Sequence, residues 1–289
     1  MTSRRKFISW LHRNWSKSLI SLILFLIAVI WLLPMLFGFF ATFKTSKEVA
    51  MFAKTRNLLP ENWTLDNYKQ AWNYGAAPFV NMAINSLTVA AASVFISMAT
   101  NSMAAYAYER LEFKGREIIF WTMLFLNMIP GVVGLVSKFY LYKALGLLNT
   151  LFCLFAGSMT GIWNTFLLRN FMTGIPKEMD EAARIDGAND LMIYALIVLP
   201  CLYPALMVVA LFTFTGIWND LLWPIIAISD PKKITITAGI RQVAETYGDG
   251  HYERVMASCW LAMIPTMMVY LLARKYFLQG LQLSAAVKG

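Results

Sequence analysis

The sequence predicts an all-α integral membrane protein with six transmembrane helices, and three observations carry that expectation. Of 289 residues, 58% are hydrophobic and only 14% are charged, against about 25% charge in a soluble domain. The mean hydropathy is +0.56. Six stretches approach or exceed the ~20 mostly apolar residues that a spanning helix needs, with polar segments between them.

In chain order the apolar runs are residues 18–43, 82–106, 118–136, 151–168, 200–228 and 255–273. The first is too long for a signal-peptide core and shows no small-residue cleavage site, so it is expected to be retained as a span. Six spans put both termini on one side. Residues 1–17 hold Arg4, Arg5, Lys6, Arg13 and Lys17 with no acidic residue, which places that side in the cytoplasm. With these boundaries 14 Lys and Arg residues fall inside and 11 outside. The N-terminal flank therefore decides the orientation. Within it, Phe7, Ile8, Leu11 and Trp15 recur at helical spacing, which fits an interfacial amphipathic helix or a disordered basic tail.

The expected plan is a basic cytoplasmic segment 1–17, a six-span body 18–278 and a cytoplasmic tail 279–289. Loops 44–81, 137–150 and 229–254 lie outside, and loop 169–199 lies inside. Residues 60–68 of the first outer loop read as a turn and a capped short helix. Ile234, Thr235, Ile236 and Thr237 of the third, with the polar stretch Tyr247-Gly248-Asp249-Gly250 beyond them, read as an ordered surface for a soluble partner, or as a lid.

Several function classes are excluded. The net charge of +9 is spread without a long basic run, which argues against nucleic acid and for lipid headgroups or an acidic partner. Cys153, Cys201 and Cys259 sit inside apolar runs at spacings no metal site uses, and read as packing residues. No Gly-rich phosphate loop with a Lys is present, and the two histidines, His12 and His251, belong to no ligand pattern. The chain is thus expected to be no enzyme by itself, with no catalytic, cofactor-binding or metal-ligating residues.

The spans are not simple rods. Pro34, Pro130, Pro204, Pro224 and Pro265 fall within them, with Asn85, Asn101, Asn127, Asn164, Asn219 and Asp220. Proline frees backbone carbonyls, and polar side chains in hydrocarbon need partners or water. A cavity wall meets both needs, and bonds between neighbouring helices meet the second. Asp220 reads as the only acidic residue well inside a span. With Trp218 and Asn219, and with Asn127 and Asn164, it is a candidate for a translocation path.

Residues 171–190 read as a short, bounded cytoplasmic helix. Pro176 suits its first position, Glu178, Asp180 and Glu181 suit the dipole of its first turns, and Gly187 suits a left-handed end. Asn189 is placed to cap a second helix running to Leu199, with an interruption at Pro200. Met179, Ala182 and Ala183 are expected on one face, where small side chains let a partner approach.

These same residues carry a family resemblance. Glu181-Ala182-Ala183, with Gly187 four residues on and Ile197 to Pro200 beyond, resembles the EAA motif of binding-protein-dependent ABC importer permeases, and Glu-Ala-Ala-Arg-Ile-Asp-Gly-Ala resembles the carbohydrate branch. Residues 104–116, 145–150, 218–220 and the tail 276–289 are similar to segments of the maltose-type second permease, in order, across nearly the whole chain. Ser258-Cys259-Trp260 and residues 247–252 depart from the pattern.

The resemblance implies a type I ABC importer permease architecture with a coupling helix between the fourth and fifth spans, in a bacterial or archaeal inner membrane. It implies a second homologous permease, two cytoplasmic ATPase subunits that hold ATP and Mg, and an extracytoplasmic solute-binding protein delivering a carbohydrate. Glu181, Ala182, Ala183, Arg184, Asp186 and Gly187 would couple to an ATPase, and Gly280, Leu281, Lys288 and Gly289 would contact the ATPases from the tail. Two rivals stay open. A phosphorylated polyol is a different cargo for the same machine, whereas a stand-alone secondary transporter would call for coupling carboxylates in several spans.

Overall fold

The computed structural model describes the backbone of residues 2–73, 78–247 and 251–286, with side chains described in those ranges except 2–16, 53 and 275–286. Among the described residues every regular element is helical.

The first, second and sixth apolar runs become single long helices, Thr2–Ala41, Phe79–Arg110 and Tyr252–Ala286. The basic N-terminal segment is neither a separate interfacial helix nor a tail. Its backbone continues the first span, since no Gly or Pro precedes Pro34 to stop it.

The other runs are broken. The third divides into Arg116–Leu126 and Gly131–Ala144, bent by 92°, where Pro130 disfavours a helical conformation for the residue before it. The fourth, expected as one helix, is Phe152–Phe155, a 3-10 stretch Ala156–Thr160 and Ile162–Met172. The fifth bends by 77° between Asp190–Cys201 and Tyr203–Trp218, and a further helix, Leu222–Ala227, follows. By length and composition, three helices can cross a membrane, or up to five if each bent pair is one span.

The bend in the fifth run falls at Leu202 and not at Pro200. Residues Tyr194–Val198 form a π-helical turn just before this proline, and the wider turn leaves room for a ring that would strike an α-helical carbonyl. Pro204 then sits in the first turn of Tyr203–Trp218, where a proline needs no N–H partner.

The chain forms two compact units, Met1–Ala71 with Ala244–Trp260, and Trp72–Val243 with Leu261–Gly289. In the first, the segment after the opening helix folds back on that helix's end. Buried Asn67 donates to the carbonyls of Thr42 and Lys44, both at 2.8 Å. Glu253, fully buried, accepts the Ser46 hydroxyl at 2.6 Å.

In the second unit the Phe79–Arg110 helix packs against Tyr203–Trp218 and Ile162–Met172. It buries small residues, Ala90, Ser93, Ser97 and Ala105 among them, which lets backbones approach closely. Ile234, Thr235 and Ile236, expected on an outer surface, are buried instead. Two apolar side chains fill a core with Met82 and Trp218, and the Ser86 hydroxyl accepts the Ile236 N–H at 2.7 Å. Residues 248–250 lie outside the described residues.

Candidate functional site

The loop between the fourth and fifth runs is built around one helix, Glu178–Ile185. Glu178, Asp180 and Glu181 occupy its first turn, where the positive end of the macrodipole favours them. Pro176 is not its first residue, since Lys177 is the N-cap. Pro176 lies one residue earlier and directs the chain into the cap.

The far end closes as expected. Gly187 has φ +86°, which a side chain would strain. Its N–H donates to the Arg184 carbonyl at 3.1 Å, and the Ala188 N–H to the Ala183 carbonyl at 2.9 Å. Both bonds satisfy carbonyls that a helix end leaves free. Asn189 then caps the next helix, its side chain accepting the Met192 N–H at 2.9 Å. Arg184 and Asp190 pair at 2.9 Å across this turn, and that hydrogen bond raises the guanidinium pKa above its ordinary value.

The helix has two different faces. Ala182 and Met179 are exposed, but Ala183 is half-buried and packs on the core of the chain. The expected shared face is therefore divided, because one helical position separates the two alanines by about 100°. Outward with Ala182 stands Ile185, 87% exposed, and Leu191 beyond the turn is 69% exposed. Ala182, Ile185 and Leu191 thus leave apolar surface exposed on the side of the loop away from the core.

Inward lies a group that sequence reasoning missed. Asp180 pairs with Arg110, the last residue of the Phe79–Arg110 helix, at 3.3 Å, with side-chain exposures of 5% and 2%. Arg110 Nη2 also donates to the carbonyls of Ile175 at 2.8 Å and Met172 at 3.3 Å. One guanidinium thus holds the end of Ile162–Met172, the connecting turn and the loop helix. Beside it, Arg169 pairs with Glu109 at 3.1 Å and Glu117 at 2.6 Å. The Tyr194 hydroxyl meets Ser102 at 2.7 Å, and fully buried Ile193 anchors the second loop helix in the same core.

The candidate path residues do not gather into one site. Asn127 is exposed at the end of Arg116–Leu126. Asn164 donates to Ser97 at 3.0 Å and Thr213 at 3.1 Å, tying three helices together. Trp218 is buried, its ring N–H donating to the Ala262 carbonyl at 3.2 Å. Asn219 is exposed at a helix end. Asp220 lies in a break between helices and not within a rod, and its carboxylate accepts the Trp223 N–H at 3.3 Å. No hydrogen bond among the described residues links Asn127, Asn164 and the 218–220 segment.

In the tail, Gly280 and Leu281 continue the backbone of Tyr252–Ala286, and Lys288 and Gly289 lie outside the described residues. Among the described residues no three His, Cys, Asp or Glu side chains are grouped as a metal ion requires.

The chain is similar to known proteins along most of its length. It is 33% identical over 266 residues to the inner membrane ABC transporter permease protein YcjP of Escherichia coli, covering 91% of this chain and 94% of that one. The arabinooligosaccharides transport system permease protein AraQ of Halalkalibacterium halodurans is 29% identical, over 91% and 93% of the two chains. The sn-glycerol-3-phosphate transport system permease protein UgpE of Pectobacterium atrosepticum is 32% identical, over 91% and 94%. The fold matches a chain of a solved bacterial ABC transporter involved in import of the acidic polysaccharide alginate, with a TM-score of 0.79 and 23% identity, over 91% of this chain and 97% of that one. Residues 101–282, which include the loop and the helices around it, match the model of binding-protein-dependent transport system inner membrane components, and this chain belongs to that family.

Proposed function

We propose that this chain is a six-span permease subunit of an ATP-driven importer that moves a carbohydrate, an oligosaccharide in the first instance. An extracytoplasmic solute-binding protein delivers the cargo, and a second homologous permease completes the path. Two cytoplasmic ATPase subunits drive alternating access by gripping the loop at Glu181, Ala182, Ala183, Arg184, Asp186 and Gly187. Both termini face the cytoplasm, and the tail reaches the ATPases. The chain itself hydrolyses nothing.

The observation that carries this reading is the outward face of the Glu178–Ile185 helix. Ala182 permits close approach, and Ile185 is left exposed on a short helix whose C-terminal end is closed at Gly187. Helices of this size are marginal alone, and this one is held against the chain by Ala183 on the core and by the buried contact of Asp180 with Arg110, which supports a use for its other face. The oligosaccharide reading is supported by likeness to a permease of arabinooligosaccharides. A second reading, a phosphorylated polyol as cargo, is supported by likeness to the glycerol-phosphate permease.

The test is reconstitution of the chain with its second permease, ATPases and binding protein in liposomes. ATP-dependent uptake of neutral oligosaccharides, matched by ligand-stimulated hydrolysis, is the expected result. Uptake of glycerol 3-phosphate alone would favour the second reading. ATP turnover by this chain in isolation would overturn both.

A further inference from the structure

We propose that the buried Arg110–Asp180 ion pair is the joint through which movement of the Glu178–Ile185 helix reaches the Phe79–Arg110 helix, with Arg110 as the positioning residue. The inference rests on the reading of that loop as the place where ATPases bind.

Three observations support it. First, the loop helix presents Ala182 and Ile185 outward and Asp180 inward, so a push on the outer face is received at Asp180. Second, among the described residues this is the only ion pair that joins the Glu178–Ile185 helix to the Phe79–Arg110 helix. The other contacts between the loop and its core include apolar ones such as Ala183, which can slide. The charge pair instead joins the two helices at one buried point. Third, Arg110 ends a helix of 32 residues, about 48 Å long at 1.5 Å per residue. A displacement at its cytoplasmic end is therefore delivered across the whole bilayer core.

The pair is also incompletely closed. Its one close approach is 3.3 Å, and Arg110 Nε and Nη1 and Asp180 Oδ1 have no hydrogen-bond partner. Arginine and carboxylate can meet through two shorter parallel bonds. A buried pair left short of that geometry adds little stability, because desolvation offsets its attraction. It does leave the guanidinium a second, tighter arrangement to adopt when the loop helix shifts. Two discrete arrangements at one contact are what a transmitted movement requires.

The experiment uses the assembled transporter with Cys153, Cys201 and Cys259 replaced and a single Cys at Ala91, an exposed position of the Phe79–Arg110 helix. Maleimide labelling is measured with and without MgATP plus vanadate. In the otherwise unaltered chain the labelling rate should respond to nucleotide. In Arg110→Met and in Asp180→Asn the ATPases should still co-purify, and the response should be lost. Arg110→Lys, and the exchange of Arg110→Asp with Asp180→Arg, should restore it. A merely structural role predicts no such restoration at unchanged assembly. A wild-type response in either single variant, or loss of the ATPases from both, would overturn the inference. Failure of the unaltered chain to hold ATPases would instead refute the importer reading, and the joint with it.

Discussion

Asn101, inside the Phe79–Arg110 helix, caps the helix that begins after Gly161. Its side-chain oxygen accepts the Gly161 N–H at 2.9 Å and the Thr165 hydroxyl at 3.1 Å. An amide from one span thus satisfies a donor freed by the break in another, as a bilayer core demands. Its own Nδ2 donates to the Ser97 carbonyl and hydroxyl, both at 2.8 Å.

Two substitutions probe that junction. Asn101→Leu leaves the Gly161 N–H without an acceptor and should cost about 1–3 kcal/mol. A Cβ on Gly161 would lie 2.9 Å from Asn101 Nδ2 and 3.0 Å from Asn164 Nδ2, so Gly161→Ala should overpack the site by about 1–3 kcal/mol. The thermal unfolding midpoint of the detergent-purified protein measures both. Unchanged midpoints would mean that the break does not depend on this cap.

Gly239 offers a second packing test. A Cβ there would collide with the Met82 sulfur, and Met82 is almost fully buried. Gly239→Ala should destabilise, and Met82→Ala in the same chain should recover part of the loss. The double-mutant cycle should show a coupling of at least about 0.5 kcal/mol, as residues in contact do. Additive effects would contradict the contact.

The loop helix gives a prediction that separates its faces. Ala182→Asp and Ile185→Asp change exposed positions, and should weaken ATPase co-purification with little change in unfolding midpoint. Ala183→Asp puts a charge against the core and should lower the midpoint itself, by about 1–3 kcal/mol in stability. A reversal of these two patterns would mean that the outward face is ordinary surface.

For Asp220 the capping bond to Trp223 sets the order. Asn accepts that bond as well as Asp does, so Asp220→Asn should leave the unfolding midpoint near wild type. Asp220→Leu should cost about 1 kcal/mol, as lost caps do. Transport that fails in Asp220→Asn at normal stability would show a role for the charge beyond the cap.

Much of this was legible in the residues. The first, second and sixth apolar runs form unbroken helices, as their length predicts, and Gly187 and Asn189 are the end and cap expected of them, because both act on neighbours within four positions. What local reading missed depends on residues far apart in the chain. The break at Gly161 is satisfied by Asn101, 60 positions earlier. Asp180 reads in sequence as one of three acids serving a helix dipole, and nothing local marks Arg110, within residues 104–116, as its partner. The bend was expected at Pro200, but a π-helical turn accommodates that proline, and periodicity does not reveal such a turn. Ile234 to Ile236 read as outer surface from their place in a loop between apolar runs, and a place in the sequence does not show that Met82 and Trp218 share a core with them.

The seclusion of Arg110 and Asp180 has a consequence for how the protein responds to its surroundings. Mobile ions screen charges that they can approach, over about 8 Å at physiological ionic strength. Arg184–Asp190 stands in that reach, with side-chain exposures of 48% and 53%. Arg110–Asp180, at 2% and 5%, does not. Raising the ionic strength therefore weakens the outer pair and leaves the inner one at its strength, so the contact of the loop with the Phe79–Arg110 helix persists while the surrounding salt changes.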